Sequence, residues 1–110
     1  MKSLMLTLLL SVSTLVTWSQ TATTLSWYTD VSLASQAAAT ENKPMLLFFT
    51  GSDWCGWCHR LQREVFNTPA FTTWASSDVI LVELDFPRNK VLPQNIKEQN
   101  QMRQQQFGVQ

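Results

Sequence analysis

The pattern of apolar runs predicts an α/β fold built on a parallel βαβ unit. Three observations carry this. Met45–Thr50 is a continuous apolar run of strand length, as expected of a central strand covered on both faces. Val79–Phe86 repeats the strand pattern after two stretches of helical character, so a crossover must join the two strands, and such crossovers are right-handed. Between them stands Cys55-Gly56-Trp57-Cys58, directly after the first strand. Sites in open α/β sheets lie at that C-terminal strand end.

The chain opens differently. Met1-Lys2 is a short positive start, Leu4 to Val16 is apolar apart from Ser and Thr, and Thr17 to Thr24 is small and polar. That order is the layout of a secretory signal peptide, expected over residues 1–22. Cleavage is expected after Ser19, with Thr17 at the third position back, or after Ala22. The apolar run is shorter than the roughly 20 residues that span a bilayer, so no stable membrane association is expected after cleavage. About 90 residues remain, enough for one domain with a modest core. They are expected to form a single domain over 25–110, in the periplasm or secreted.

Within that domain, Leu25 to Tyr28 reads as a short edge strand or lead-in. Asp30 is an N-cap for a helix over Val31 to Thr40, with Val31, Ala34, Ala37 and Ala38 at helical spacing. Glu41 to Pro44 reads as a turn. The stretch Gly51-Ser52-Asp53 breaks the first strand, and a helix follows from Gly56 to about Asn67, with Leu61, Val65 and Phe66 on its apolar side. Pro69 opens a short amphipathic helix carrying Phe71, Trp74 and Ala75. After Val79–Phe86 comes a loop, Pro87 to Pro93, and then a polar helix to Gln106 anchored by Ile96 and Met102. Phe107 to Gln110 reads as the approach to a further strand.

Eight basic and eight acidic residues balance, without a basic stripe or acidic run, so nothing points to nucleic acid. Two cysteines in an exported chain suggest a structural disulfide. A loop this small removes little entropy from the unfolded chain, so stapling is a poor use for it. Disulfide exchange is a better one, because it needs one thiolate to attack and a second thiol to resolve the mixed disulfide. Cys55 falls at a helix N-terminus, where free N–H groups and the helix dipole favour the thiolate and lower its pKa. Cys55 is the expected nucleophile, and Cys58, more buried, the resolver. Trp54 and Trp57, with Gly56 between the cysteines, offer either a flat apolar surface for a substrate peptide or packing at the helix start. His59 reads as a solvated helix residue, as a charge that tunes Cys55, or as an axial haem ligand. Cys55, Cys58 and His59 formally match the C-x-x-C-H haem signature, with Met102 as a second ligand. Two strands around the motif argue for the redox thiol site instead. A zinc site would lack its fourth ligand.

Gly51 to Cys58, with the strand before it, Glu64-Val65-Phe66 after it, the strand Val79 to Asp85 and Phe107-Gly108-Val109, resembles the thioredoxin family over roughly Leu25 to Gln110. The resemblance is nearest to exported bacterial members carrying Gly-Ser-Asp-Trp-Cys-Gly-Trp-Cys. It implies a thioredoxin-like fold, thiol–disulfide exchange with protein thiols and disulfides, a redox partner that recharges the pair, and no bound cofactor. Three departures stand out. The position of the family's buried carboxylate, six residues before the first Cys, is Phe49, with Glu83 or Asp85 as substitutes or as ordinary strand-end charges. The dipeptide between the cysteines is Gly-Trp. The family's cis-proline, C-terminal β-hairpin and last helix are not represented, since Pro87 and Pro93 come too early to supply the proline. The expectation is therefore a fragment of a longer protein, with a non-catalytic binding module or an inactive fragment as the alternatives to an enzyme.

Overall fold

The computed structural model describes residues 24–110 and Val16; the expected signal peptide lies outside the described residues apart from Val16. Three parallel strands form the sheet: β1 (Trp27–Tyr28), β2 (Met45–Thr50) and β3 (Ile80–Asp85), in the order β1-β3-β2. The α/β class and the βαβ crossover are thus as expected, but the position of the first long strand is not. Met45–Thr50 was expected at the centre, and among the described residues it is an edge strand, with β3 in the middle. β3 pairs on both sides and buries Ile80, Leu81, Val82 and Leu84, whereas β2 buries only Phe48 and Thr50. An apolar run reports how much of a strand is covered, and the covering of β2 is incomplete here.

Register sorts the side chains into two faces, because neighbouring partners point the same way. Leu47 and Phe49 lie opposite Val82 and Leu84, and with Val31 and Ala34 of helix α1 (Val31–Glu41) they make the main core. Asp30 caps α1 as expected, accepting from the N–H groups of Ser32 and Leu33 at 2.8 and 3.2 Å. On the other face Trp27, Phe48, Phe66 and Phe71 form an aromatic cluster, with Phe48 and Phe66 edge to face at 4.9 Å.

The helix after the motif differs from expectation in one respect. Helix α2 (Gly56–Leu61) passes into a π-helical turn over Gln62–Phe66, closed by Asn67 N–H donating to Gln62 O at 2.8 Å. The wider turn rotates Phe66 into the aromatic cluster, while Leu61 and Val65, expected on the apolar side, are exposed. Thr68 caps helix α3 (Pro69–Asp78), with Pro69 at its first position. Ala75 is its buried residue; Trp74 is half exposed and packs on Phe71.

Helix α4 (Gln94–Phe107) is held by buried amides together with a lighter apolar contact from half-buried Ile96 and from Phe107, whose ring centroid lies 6.3 Å from that of Phe49. Met102, expected as an anchor, is exposed, and the buried residue is Asn100, at 1% exposure. Asn100 Nδ2 donates to Asp85 O at 2.9 Å. Gln99 accepts from Val31 N–H at 2.8 Å and donates to Thr29 O and to Asn100 Oδ1. Phe107, expected in the approach to a further strand, is the last residue of α4, and Gly108 ends the helix in the left-handed region at φ 63°.

Candidate active site

The site is built on the turn between β2 and α2. Gly51 is buried at the end of the strand, and a Cβ there would run into the Trp54 indole. The turn closes with Cys55 N–H donating to Gly51 O at 2.8 Å. Cys55 then serves as N-cap of α2 in an extended conformation (φ −88°, ψ 97°), its Sγ accepting from Cys58 N–H at 3.2 Å. A Ser or Asp oxygen would fill the same role, and sulfur placed there feels the unpaired N–H groups of the first turn. Cys55 and Cys58 are joined by a disulfide, with Cα atoms 5.2 Å apart. Both are half-buried, so burial does not separate the expected nucleophile from the expected resolver.

A groove of about 190 Å3 lies against the disulfide. Phe49, Thr50, Gly51, Trp54, Phe86, Gln104, Val109 and Gln110 line it with the two cysteines. Trp54 belongs to the groove, and it is also anchored: its Nε1–H donates to Phe86 O at 2.7 Å. Trp57 stands apart at 77% exposure, its ring 5.6 Å from the Arg60 guanidinium carbon. A Cβ at Gly56 would meet open space. Trp57, Gly56 and His59 do not line the groove.

His59 is not a freely solvated helix residue. Its Nε2 lies 2.7 Å from Ser52 O, and a carbonyl only accepts, so Nε2 carries a proton and donates. Ser52 in turn donates from its N–H and its hydroxyl to the Asp85 carboxylate, which also pairs with Lys90 at 3.1 Å. Burial alone would raise the Asp85 pKa, but the Ser52 hydrogen bonds and Lys90 more than offset it and hold the carboxyl below its ordinary value. Lys90 is raised by the same pair. Asp53 accepts from the N–H groups of Arg88 and Asn89, which lower its pKa, and so ties the β3–α4 loop to the motif turn. Asp85 is therefore a clamp on the turn.

Glu83, the other carboxyl considered as a stand-in for the missing family carboxylate, is raised by burial and by the nearby Asp85. It lines a small cavity with Trp27, Phe48 and Phe66, away from the groove. Sequence reasoning did not single out Ser52, Asp53, Phe86 or Arg88. Each is bonded to a residue 32 to 36 positions away along the chain, and no local spacing signals them. Thr50 was also missed: its hydroxyl is buried and unpartnered, and the residue lines the groove.

No group of three or more His, Cys, Asp or Glu is placed to hold a metal among the described residues, and no helix there is long and apolar enough to cross a membrane.

Comparison with known proteins agrees with this geometry. The chain is 36% identical over 76 residues to the disulfide bond reductase DsbH of Chlamydia pneumoniae, covering 69% of this chain and 46% of that protein. It is 29% identical over 83 residues to the thioredoxin-related protein DsbJ of the same organism, covering 76% of this chain and 24% of that one. A solved structure of a DsbH oxidoreductase superposes with a TM-score of 0.73 at 34% identity, over 78% of this chain and 59% of the other. The chain thus spans about half or less of the length of the curated relatives it matches. A thioredoxin-like family model matches residues 26–109, and the chain belongs to the thioredoxin-like family.

Proposed function

We propose that this chain is a thiol–disulfide oxidoreductase that exchanges disulfides with protein substrates through Cys55 and Cys58. The observation that carries the reading is Cys55 Sγ at the N-cap of α2, accepting from Cys58 N–H at 3.2 Å beside an open, largely apolar groove. In the reduced pair, the Cys55 thiolate attacks one sulfur of a substrate disulfide. The substrate S–S bond breaks, its other sulfur leaves as a thiolate and takes a proton, and a mixed disulfide forms. The Cys58 thiolate then attacks Cys55 Sγ and releases the second substrate thiol. Two electrons pass from the pair to the substrate, and the reverse sequence oxidises a dithiol. Trp54 and the groove hold the substrate backbone, Trp57 offers an exposed apolar contact, and Gly56 leaves the approach open. His59, through Ser52, holds the turn that presents Cys55.

The likeness to a disulfide bond reductase supports reduction as the net direction, with a separate donor recharging the pair. The order of charge, apolar run and small residues over 1–22 supports export, and with it a reaction in the periplasm or outside the cell.

Insulin disulfide reduction with a small dithiol as electron source tests the reading. The full chain accelerates insulin reduction, Cys55→Ser abolishes the acceleration, and Cys58→Ser accumulates a mixed disulfide. A Cys55→Ser chain as active as the unaltered one would overturn the proposal.

A further inference from the structure

A second cavity, about 370 Å3, opens beside the groove under the β3–α4 loop. The two share Phe86, and Arg88, on the wall of the second, stacks its guanidinium 4.2 Å from the Trp54 ring centroid, on the wall of the first. Three cations, Arg88, Lys90 and Lys97, line the cavity against a single carboxylate, Asp85. Asp85 is already paired with Lys90 and accepts two hydrogen bonds from Ser52. Asp53 accepts from the Arg88 backbone N–H, not from its side chain. Among the described residues, neither Arg88 nor Lys97 pairs its side-chain charge with a carboxylate. Val91 and Leu92 give the cavity an apolar rim that fits a side-chain stem.

We propose that this cavity seats an acidic side chain of the polypeptide substrate, between the Arg88 guanidinium and the Lys97 ammonium, while the substrate cysteine lies at Cys55. A guanidinium held flat by an aromatic ring is preorganised for a carboxylate, and a neighbouring ammonium adds charge without demanding geometry. An extended chain rises about 3.3 Å per residue, so a peptide lying in the groove and crossing Trp54 and Phe86 carries the positions flanking its cysteine past the cavity. The inference names the substrate class of the exchange proposed above and rests on that reading.

The experiment pairs peptides that differ only by Glu or Gln at each of those positions, with the full chain. One arm measures the rate of mixed-disulfide formation with cysteine peptides, and the other measures binding of cysteine-free peptides by tryptophan fluorescence. The Glu peptide is expected to react and bind about fivefold better at low salt, with the advantage shrinking as salt screens the exposed cations. Lys97→Gln and Arg88→Gln each bring the Glu-to-Gln ratio toward one, and Lys43→Gln, at the opposite end of the sheet, leaves it unchanged. Because the readout is a ratio, a general loss of activity in a variant does not imitate the result. A ratio of one in the unaltered chain, a ratio that survives both cavity substitutions, or one equally reduced by Lys43→Gln overturns the inference. Failure of the redox reading looks different: neither peptide reacts, while the binding ratio persists.

Discussion

Helices α1 and α4 cover the same side of the sheet, where both meet Phe49, but they bury different groups. α1 buries Val31 and Ala34 against Ile80, Val82 and Leu84, with no polar group in the contact core. α4 buries Asn100, and its neighbour Gln99 reaches back to Thr29 and Val31, so one pair of amides ties the helix to the end of β3 and to the start of α1. Apolar burial tolerates sliding, whereas an amide accepting and donating to named backbone groups fixes one position. That matters for function because α4 contributes Gln104 to the disulfide groove and Lys97 to the adjoining cavity.

Breaking the apolar attachment has the largest expected effect. Leu84→Ala, at a fully buried position, is expected to destabilise the fold by about 2–5 kcal/mol in urea unfolding of the full chain. Asn100→Ala is expected to cost about 1–3 kcal/mol, since it strands the Asp85 carbonyl. Amide hydrogen exchange separates the two: Asn100→Ala releases α4 first, while Leu84→Ala raises exchange throughout the sheet. Equal release of α4 in both variants would show that its polar tether is not a separate support.

The two strand carboxyls sharpen the comparison between polar groups that are served and those that are not. Asp85 is held below its ordinary 3.8, so its contribution is present above that pH and is lost as pH falls further, toward its folded value. Glu83 is raised above its ordinary 4.5, so it favours the folded state at low pH, and that contribution is lost as pH rises from 4.5 through its folded value. Asp85→Asn is therefore expected to flatten the acid limb of the stability profile, and Glu83→Gln to stabilise the chain slightly at neutral pH. Urea unfolding from pH 3 to pH 7 checks both signs. The exposed pair Arg60–Glu64, at 2.9 Å, gives the smallest effect: Glu64→Gln is expected to change stability by less than about 0.5 kcal/mol.

What the sequence made legible follows the same division. The strands, the Asp30 cap, the helix start at Pro69 and the cysteine pair at a helix start are local patterns, and they appear where spacing puts them. The expected Met102 anchor failed because a polar helix can be seated by amides, and Asn100 in a Gln-rich stretch has no periodic signal. The central placement of β2 failed because an apolar run does not report which neighbours a strand has. The π-helical turn was hidden because one extra residue in a turn changes which face Val65 and Phe66 present without changing composition. The clamp from Asp85 through Ser52 to His59 joins residues far apart in sequence: its two ends, Asp85 and His59, were each considered for another role, and no local spacing connected them through Ser52.

The central claim is that the N-cap position makes Cys55 the reactive thiolate. The pH dependence of iodoacetamide alkylation of the reduced chain, read separately at each cysteine, tests it most directly. The account predicts that Cys55 alkylates first, with a midpoint below the free-thiol value of about 8.5, while Cys58 reacts slowly at every pH. Equal rates at both cysteines, with midpoints at or above that value, would contradict it.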